Sequence, residues 1–347
     1  MEAQWMRMWA GRGLPGGRRG KQPLERLLAA WLESVRPQVK ESSYRRYTWV
    51  VEKRLCPALG KACCREIGQR HWKELEAYWA CRGNRGAGLS EASMREMLVV
   101  LKAALRYGAE RGYGCDPGRI RMGPGKAQNK LEVPPSGVFF VLEEYLNKAL
   151  DPSKLGVLLC MYLGLRIGEI CALRWEDVDL AGRSLTIRQT IQRISAGGGG
   201  PKTKLTLGTP KTIHSQRTVP LPAHLVKPLQ YYRALAQAGD YVISNKPGRP
   251  LEPRAYAYRF KRYLEKAGVP AMKFHMLRHY FATSSIEAGG DVKTLSEILG
   301  HSDVGMTLRV YVHPTMDMKR RHIERTYAFQ QTKTRPGKPR RPRVCSS

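Results

Sequence analysis

"GLRIGEICALRWEDVDL" (Gly164–Leu180) follows directly on a mostly apolar run over 153–163. Both stretches are typical of helices. The segment also carries two opposite charges three positions apart, Arg166 and Glu169. Residues at this spacing are neighbours on a helix, so an ordinary ion pair would account for both charges. Taken alone, the segment predicts a helical domain and leaves open whether Arg166 has a further role.

The chain upstream of this segment also shows helical patterns. Four amphipathic stretches with short connections predict a compact all-α domain over 22–112, and Ser90 is the expected N-cap of its last helix. Residues 1–21 are rich in Gly and Arg without a repeating apolar face, which predicts a flexible basic arm. The four predicted helices lie within 23–35, 43–60, 65–82 and 89–112.

The remaining chain predicts a linker, a second domain and a tail. Glycines, prolines and basic residues indicate the linker over 113–134. Helical patterns then fill most of a second domain, 135–330, but "RSLTIRQTIQRI" (183–194) alternates as a strand does, and further short strands follow it. The predicted fold class is mainly α with a small antiparallel β-sheet. The tail, 331–347, has six basic residues and no acidic one, and we expect it to be disordered.

Charge restricts the class of partner. Sixty Lys and Arg residues against 29 Asp and Glu give a net charge of +31, spread along the whole chain. This distribution favours nucleic acid over an anionic membrane, because a membrane anchor concentrates its basic residues in one helix. Eight cysteines without a CxxC pair indicate free thiols in the reducing cytoplasm, with Cys160 and Cys171 as small core residues. With no run of 18 apolar residues, a soluble protein is expected.

Six polar residues of the second domain stand out as a candidate site. Each has an ordinary interpretation on its own, such as a solvated lysine, a helix-starting histidine or a core tyrosine. "HMLRH" places His275 and His279 at a spacing that can bind zinc, but the segment lacks a metalloprotease glutamate and Arg278 would repel a cation. We therefore expect no metal and no cofactor. The six candidates are Arg166, Lys211, His275, Arg278, His301 and Tyr311.

Together these residue types meet the requirements of phosphodiester cleavage without a metal. Two arginines can clamp the nonbridging oxygens of the transition state. A tyrosine phenol can attack the phosphorus and later leave when the bond is resealed. A lysine near the phosphate can protonate the departing 5′ oxygen, and histidines can donate to phosphate oxygens or accept the phenolic proton.

Residues 135–330 resemble the catalytic domain of the tyrosine recombinases, the phage integrase family. The family's first arginine motif is similar to the opening segment, with Arg166 as the arginine and Glu169 as the supporting acid. Its H-x-x-R motif matches "HMLR", which supplies His275 and Arg278. The helical region upstream is similar to the family's SAM-like core-binding domain.

Three further motifs extend the resemblance. "LGH" ends at His301, and "TLRVYVH" carries Tyr311 as the nucleophile. The ten-residue separation of these two side chains resembles that of phage and conjugative-transposon integrases. The family's hairpin lysine corresponds to Lys211, with Lys202 as the alternative. Arg309 is then expected to face the DNA backbone or solvent, and the other nearby histidines, 279 and 313, to be structural.

The resemblance implies a function and its partners. It implies site-specific recombination through a 3′-phosphotyrosyl intermediate, without metal or ATP, for integration or excision of a mobile element. It also implies double-stranded DNA attachment sites as substrate, a homotetramer on two sites, a C-shaped clamp around the duplex, and accessory DNA-bending or excision factors. Two alternatives stay open at this point: DNA relaxation of the type IB topoisomerase kind, and a catalytically inactive DNA-binding regulator on the same scaffold.

Overall fold

The computed structural model of the chain divides into two compact units. The first comprises Met1–Lys130 with Arg193–Lys204, and the second Leu131–Gln192 with Leu205–Ser347. The predicted basic arm (1–21) lies outside the described residues. The structure describes residues 22–82, 88–123, 133–195, 203–208, 216–244, 246–301, 304–305 and 316–334.

Long helices build the described part of the first unit. They are α1 (Leu24–Val35), α2 (Glu41–Val50), α3 (Gln69–Arg82) and α4 (Glu91–Glu110). The chain continues from α2 through a π-helical turn, Val51–Leu55, and a last α-helical turn, Cys56–Leu59. The predicted cap of α4 is confirmed, because the Ser90 side chain accepts a hydrogen bond from the Ser93 amide at 3.3 Å. Fully buried members of the core include Leu24, Leu28, Leu32, Val51, Leu55, Trp72, Leu101 and Leu105.

The segment after α4 differs from the predicted linker, 113–134. Tyr113, Cys115 and Ile120 are buried in the core of the first unit. Gln69 also fixes this segment, since its side chain exchanges hydrogen bonds with the backbone of Arg121 at 2.6 and 2.8 Å. Its apolar residues therefore extend the first unit, although its glycines and prolines are typical of a linker. Residues 124–132 of the predicted linker lie outside the described residues.

The second unit is built around a helix that is buried on nearly every side. This helix is α6, and α5, α7, α8 and α10 pack against it. Cys160 in α6 and Cys171 in α7 are completely buried, which confirms them as core residues. The helices of this unit are α5 (Ser136–Asn147), α6 (Pro152–Leu163), α7 (Ile167–Ala172), α8 (Ala223–Ala234), α9 (Pro253–Ala267), α10 (Met276–Glu287), α11 (Val292–Leu299) and α12 (Met316–Thr334).

Short strands complete the fold, and they confirm the predicted class. Strand β2 lies between β1 and β5 in an antiparallel sheet, with Ile187 opposite Arg217 and Leu185 opposite Val219. The stretch 183–194 forms two strands with a break after Ile187, and the second of them, β3, pairs with β4. The strands are β1 (Val178–Asp179), β2 (Ser184–Ile187), β3 (Thr190–Ser195), β4 (Thr203–Gly208) and β5 (Arg217–Pro220).

The C-terminal helix is longer than predicted. Helix α12 continues to Thr334, four residues into the predicted tail of 331–347. No proline or glycine occurs there before Pro336, so nothing in the sequence interrupts the helix earlier. The rest of the tail lies outside the described residues. Across the described ranges, none of the helices combines the length and apolar character needed to cross a bilayer.

Candidate active site

The first arginine of the site lies at the start of a short helix. Gly164 ends α6 in the left-handed conformation (φ +65°) and so turns the chain sharply. Arg166 then occupies the N-cap position of α7, and the Glu169 carboxylate accepts its backbone amide at 2.9 Å and its guanidinium at 2.7 Å. The ion pair expected from the spacing is therefore present. It leaves 35% of the Arg166 side chain exposed, so this guanidinium can still reach a ligand.

A second arginine, which is not among the six candidates from the sequence, shares the same carboxylate. Arg217, the first residue of β5, donates to both carboxylate oxygens of Glu169, at 2.9 and 3.1 Å. Both side chains are buried, to 6% and 2% exposure. One signal could have identified it: Arg217 is two positions from the apolar Val219 in a predicted strand, and residues at that spacing share a face. Arginine on an inward face requires a buried acceptor.

The predicted second arginine of the clamp, Arg278, is also buried, with only 2% of its surface exposed. It lies in the first turn of α10, and its two terminal nitrogens donate to the Gly164 carbonyl at 2.8 Å and the Leu299 carbonyl at 2.7 Å. Arg278 therefore ties together the end of α6, the start of α10 and the end of α11. The structure places it in the same cluster as Arg166, since the two side chains donate to the consecutive carbonyls of Leu299 and Gly300.

Three consecutive backbone carbonyls at the end of α11 accept hydrogen bonds from three different arginines. Arg217 donates to Ile298, Arg278 to Leu299 and Arg166 to Gly300. Helix ends leave their last carbonyls without helical partners, and here guanidinium groups fill that role. Gly300 follows in the left-handed conformation (φ +64°) and directs the chain to residue 301. The three arginines thus fix the "LGH" turn relative to α7 and β5.

Histidines line the same cluster. The ring of His275, at the start of α10, meets that of His279 edge to face, with centroids 4.6 Å apart. Burial lowers the pKa of His279 to about 4, assisted by His275 and Arg278. His279, expected to be structural, therefore directly supports a predicted site residue. Partial desolvation, followed by Arg278 and Arg166, also lowers the pKa of His275, although its surface is largely exposed.

His301 is half-buried at the end of the "LGH" turn, and its amide donates to the Ser296 carbonyl at 3.0 Å. Burial lowers the pKa of His301 to about 4, and the charges of Arg278, Arg166 and Arg217 act in the same direction. At neutral pH this imidazole is uncharged. One of its ring nitrogens can therefore donate a hydrogen bond while the other accepts one.

The described part of the site carries an excess of positive charge. Burial alone would raise the pKa of Glu169, but Arg217 and then Arg166 outweigh that effect and lower it to about 2. One ionised carboxylate thus faces three guanidinium groups, and the neutral histidines add no charge. A site with this excess is suited to an anion with several oxygens, such as a phosphodiester. Within the described ranges, no three His, Cys, Asp or Glu side chains are grouped as metal ligands.

Several predicted site residues cannot be located. Tyr311, Lys211 and the alternative Lys202 lie outside the described residues, as do Arg309 and His313. Neighbouring parts of the chain are described: β5 begins six residues after Lys211, and His301 lies ten residues before Tyr311. The predicted residues that the structure does bring together are Arg166, Glu169, His275, Arg278 and His301.

The chain is similar in sequence to known proteins that are named tyrosine recombinases. The chain is 30% identical over 262 residues to a "Tyrosine recombinase XerC-like" protein of Caldanaerobacter subterraneus subsp. tengcongensis, an alignment covering 68% of this chain and 66% of that relative. It is 29% identical over 255 residues to "Tyrosine recombinase XerA" of Thermococcus kodakarensis, covering 71% of this chain and 79% of that protein. The chain therefore spans just under two thirds of the first relative's length and more of the second's.

A solved structure shares the fold. The Tn1549 transposon integrase in complex with transposon right end DNA superposes with a TM-score of 0.70 at 22% identity, covering 88% of this chain and all of that one. The profile "Phage integrase, N-terminal SAM-like domain" matches residues 24–75, within the first unit. The profile "Phage integrase family" matches residues 142–318, which include every site residue described above. The chain belongs to the phage integrase family of tyrosine recombinases.

Proposed function

We propose that this protein is a site-specific DNA recombinase that cleaves and rejoins DNA through a 3′-phosphotyrosyl intermediate. One observation carries the proposal: the fold gathers three arginines and two neutral histidines with one ionised carboxylate, Glu169, which pairs with two of the arginines. That arrangement favours a phosphodiester whose charge grows in the transition state. Family membership supplies the nucleophile assignment, Tyr311, and the general acid, Lys211.

The proposed reaction exchanges one phosphodiester for another. The Tyr311 phenol attacks phosphorus, so a phenolic O–P bond forms and the bond to the 5′ oxygen breaks. A neutral histidine of the site takes the phenolic proton, and Lys211 gives a proton to the departing 5′ oxygen. In the second step, the 5′ hydroxyl of the partner strand attacks the phosphotyrosine and releases the phenol. Since bonds of the same kind break and form, the reaction needs no ATP.

Arg166 and Arg278 have different parts in this scheme. Arg166 is the more exposed of the two, and we assign it to direct contact with the nonbridging oxygens. Arg278 contributes its positive charge from just behind, where its hydrogen bonds to two carbonyls hold it in place. Charge that is already in position when the substrate arrives costs no reorganisation during the reaction.

The proposed substrate is double-stranded DNA carrying the attachment sites of a mobile element. We propose that four copies act on two such sites, with accessory DNA-bending or excision factors. The net charge of +31 supports a polyanionic partner. A lambda integrase tetramer has been solved on a Holliday junction, and it shares the fold of this chain with a TM-score of 0.61 at 15% identity.

The test is a nicked suicide substrate, from which the cleaved strand end diffuses away and cannot be rejoined. Wild-type protein should form a covalent protein–DNA adduct that survives denaturation, and Tyr311→Phe should form none while still binding the duplex. An adduct in Tyr311→Phe would disprove the nucleophile assignment. Absence of an adduct from wild type would indicate a DNA-binding regulator, and relaxation of plasmids without any required site would indicate a topoisomerase.

A further inference from the structure

Arg217 is buried in the site and leaves little side-chain surface for a ligand. Only 6% of its side chain is exposed, against 35% for Arg166. Its hydrogen bonds are made to protein groups: the two oxygens of Glu169 and the carbonyl of Ile298. Within the described part of the chain, these contacts give Arg217 two routes by which it can act on the proposed reaction.

The first route runs through Glu169 to Arg166. A carboxylate paired with a single arginine would be free to rotate with it, and would cancel much of its charge. Here Arg217 approaches both oxygens from the buried side as a planar fork, while Arg166 takes one oxygen at 2.7 Å with one terminal nitrogen. The Glu169 plane is fixed by Arg217 together with the Arg166 backbone amide, so the Arg166 guanidinium is oriented as well. Because the negative charge of Glu169 is shared between two arginines, it does not neutralise the whole positive charge of Arg166.

The second route runs through the end of α11 to His301. Arg217 donates its Nε to the Ile298 carbonyl, three residues before His301. The next residue but one, Gly300, lies so near that a Cβ there would approach a terminal nitrogen of Arg217 to 3.0 Å. Arg217 thus packs directly beneath the turn that presents the histidine. Because Arg217 begins β5, it also connects this turn to the strand that starts six residues after Lys211.

We propose that Arg217 is a positioning residue of strand cleavage, which orients Arg166 through the Glu169 carboxylate and fixes the backbone leading to His301 through the Ile298 carbonyl. The inference rests on the proposed function for its effect on rate, but not for its effect on Arg166 itself. A guanidinium fork is required, because lysine keeps the charge and can make only one bond in a given direction.

The test is a double-mutant cycle with Arg217→Lys and Glu169→Gln. Single-turnover adduct formation is measured on the suicide substrate at saturating DNA. Arg217→Lys should slow cleavage by about tenfold or more, since small misplacements of catalytic groups have effects of this size. In the Glu169→Gln background the same substitution should slow cleavage by a clearly smaller factor, because the route through Glu169 is already broken and only the route through the Ile298 carbonyl remains to be lost. Losses that multiply independently would overturn the proposal.

A matched control is Arg188→Lys. Arg188 also pairs with a carboxylate of the second unit, Asp177 at 2.9 Å, but 65% of its side chain is exposed. This variant should cleave at the wild-type rate. DNA affinity, measured by fluorescence anisotropy, should change by less than about twofold in Arg217→Lys, because a buried group makes no phosphate contact. A loss of affinity as large as the loss of rate would show that Arg217 belongs to the DNA-binding surface.

A readout without DNA separates this inference from the proposed function. The Nε–H group of Arg166 is observed by ¹⁵N NMR in the free protein, where its heteronuclear NOE reports how rigidly the side chain is held. The NOE should fall in Arg217→Lys and in Arg217→Gln, and stay unchanged in Arg188→Lys. Both Arg217 variants must first show native backbone signals for β5. If they do, an unchanged NOE in both would overturn the positioning role. This holds even if wild type forms no adduct.

Discussion

Replacing Glu169 by glutamine should destabilise the second unit in a way that depends on pH. The carboxylate is 2% exposed, and its pKa is lowered from 4.5 to about 2. At about 1.4 kcal/mol per pKa unit, the ionised form contributes on the order of 3 kcal/mol to the free energy of unfolding. Because the pKa is lower in the folded protein, this contribution is present above about pH 4.5 and is lost as the pH falls towards 2. By about pH 3, roughly 2 kcal/mol of it should be gone.

The variant removes this titration altogether. At neutral pH, Glu169→Gln should cost about 3 kcal/mol, because the buried Arg217 and the partly exposed Arg166 lose their counter-charge. Near pH 3 the wild type has lost most of the same contribution, so the two proteins should differ by only about 1 kcal/mol. The difference between wild type and variant isolates Glu169 from the other carboxylates, which titrate in both proteins.

The assay has to report on the second unit alone. Trp175 is its one tryptophan in the sequence and is buried in its core, so urea unfolding can be followed by ¹⁹F NMR of fluorotryptophan at this position. The control is Glu176→Gln, whose side chain is 63% exposed beside Arg174. Its stability curve should stay within about 0.5 kcal/mol of wild type at every pH. A wild-type-to-Glu169→Gln difference that is the same at both ends of the pH range would refute the account of an ionised, arginine-held carboxylate.

Two smaller predictions concern the "LGH" turn. The ring of His301 should stay neutral as the pH is lowered to about 5, since its pKa is lowered to about 4. The measurement is a pH titration of its ¹³C–¹H ring signals, which are assigned by comparison with His301→Asn. A midpoint near 6.5 would contradict the prediction. Gly300→Ala should lower the melting temperature more than Gly239→Ala does. Both glycines have positive φ, but only a Cβ at Gly300 meets an arginine, and equal losses would rule out that crowding.

Much of the site was predictable from short motifs. The spacing in the opening segment predicted the Arg166–Glu169 pair, and "HMLR" and "LGH" predicted side chains that the fold brings into one cluster. These motifs are informative because each combines a polar residue with a local conformation, such as a helix start or a left-handed glycine. The four-helix unit was equally accessible, because its apolar residues repeat at helical spacing.

Other features depend on contacts between distant parts of the chain. Arg217 and Glu169 are 48 residues apart, and although the strand pattern around Arg217 implies a buried acceptor, nothing in the sequence indicates that this acceptor is Glu169. The glycines and prolines of the segment 113–123 predict a linker. Tyr113 and Ile120 are nevertheless buried, because other helices of the first unit pack against them. Likewise, the motif arginine Arg278 was expected to clamp phosphate directly, whereas tertiary packing leaves it almost no exposed surface.

The arginines at the end of α11 bind main-chain oxygens, and every amino acid supplies such an oxygen. The segment they hold is therefore nearly indifferent to its own side chains as far as this anchoring is concerned, with Gly300 as the exception. Substitution of Ile298 or Leu299 would alter the packing of their side chains but would keep the backbone carbonyls that accept the arginine hydrogen bonds. The position of His301 is thus specified largely by three arginines from distant parts of the chain, Arg166, Arg217 and Arg278.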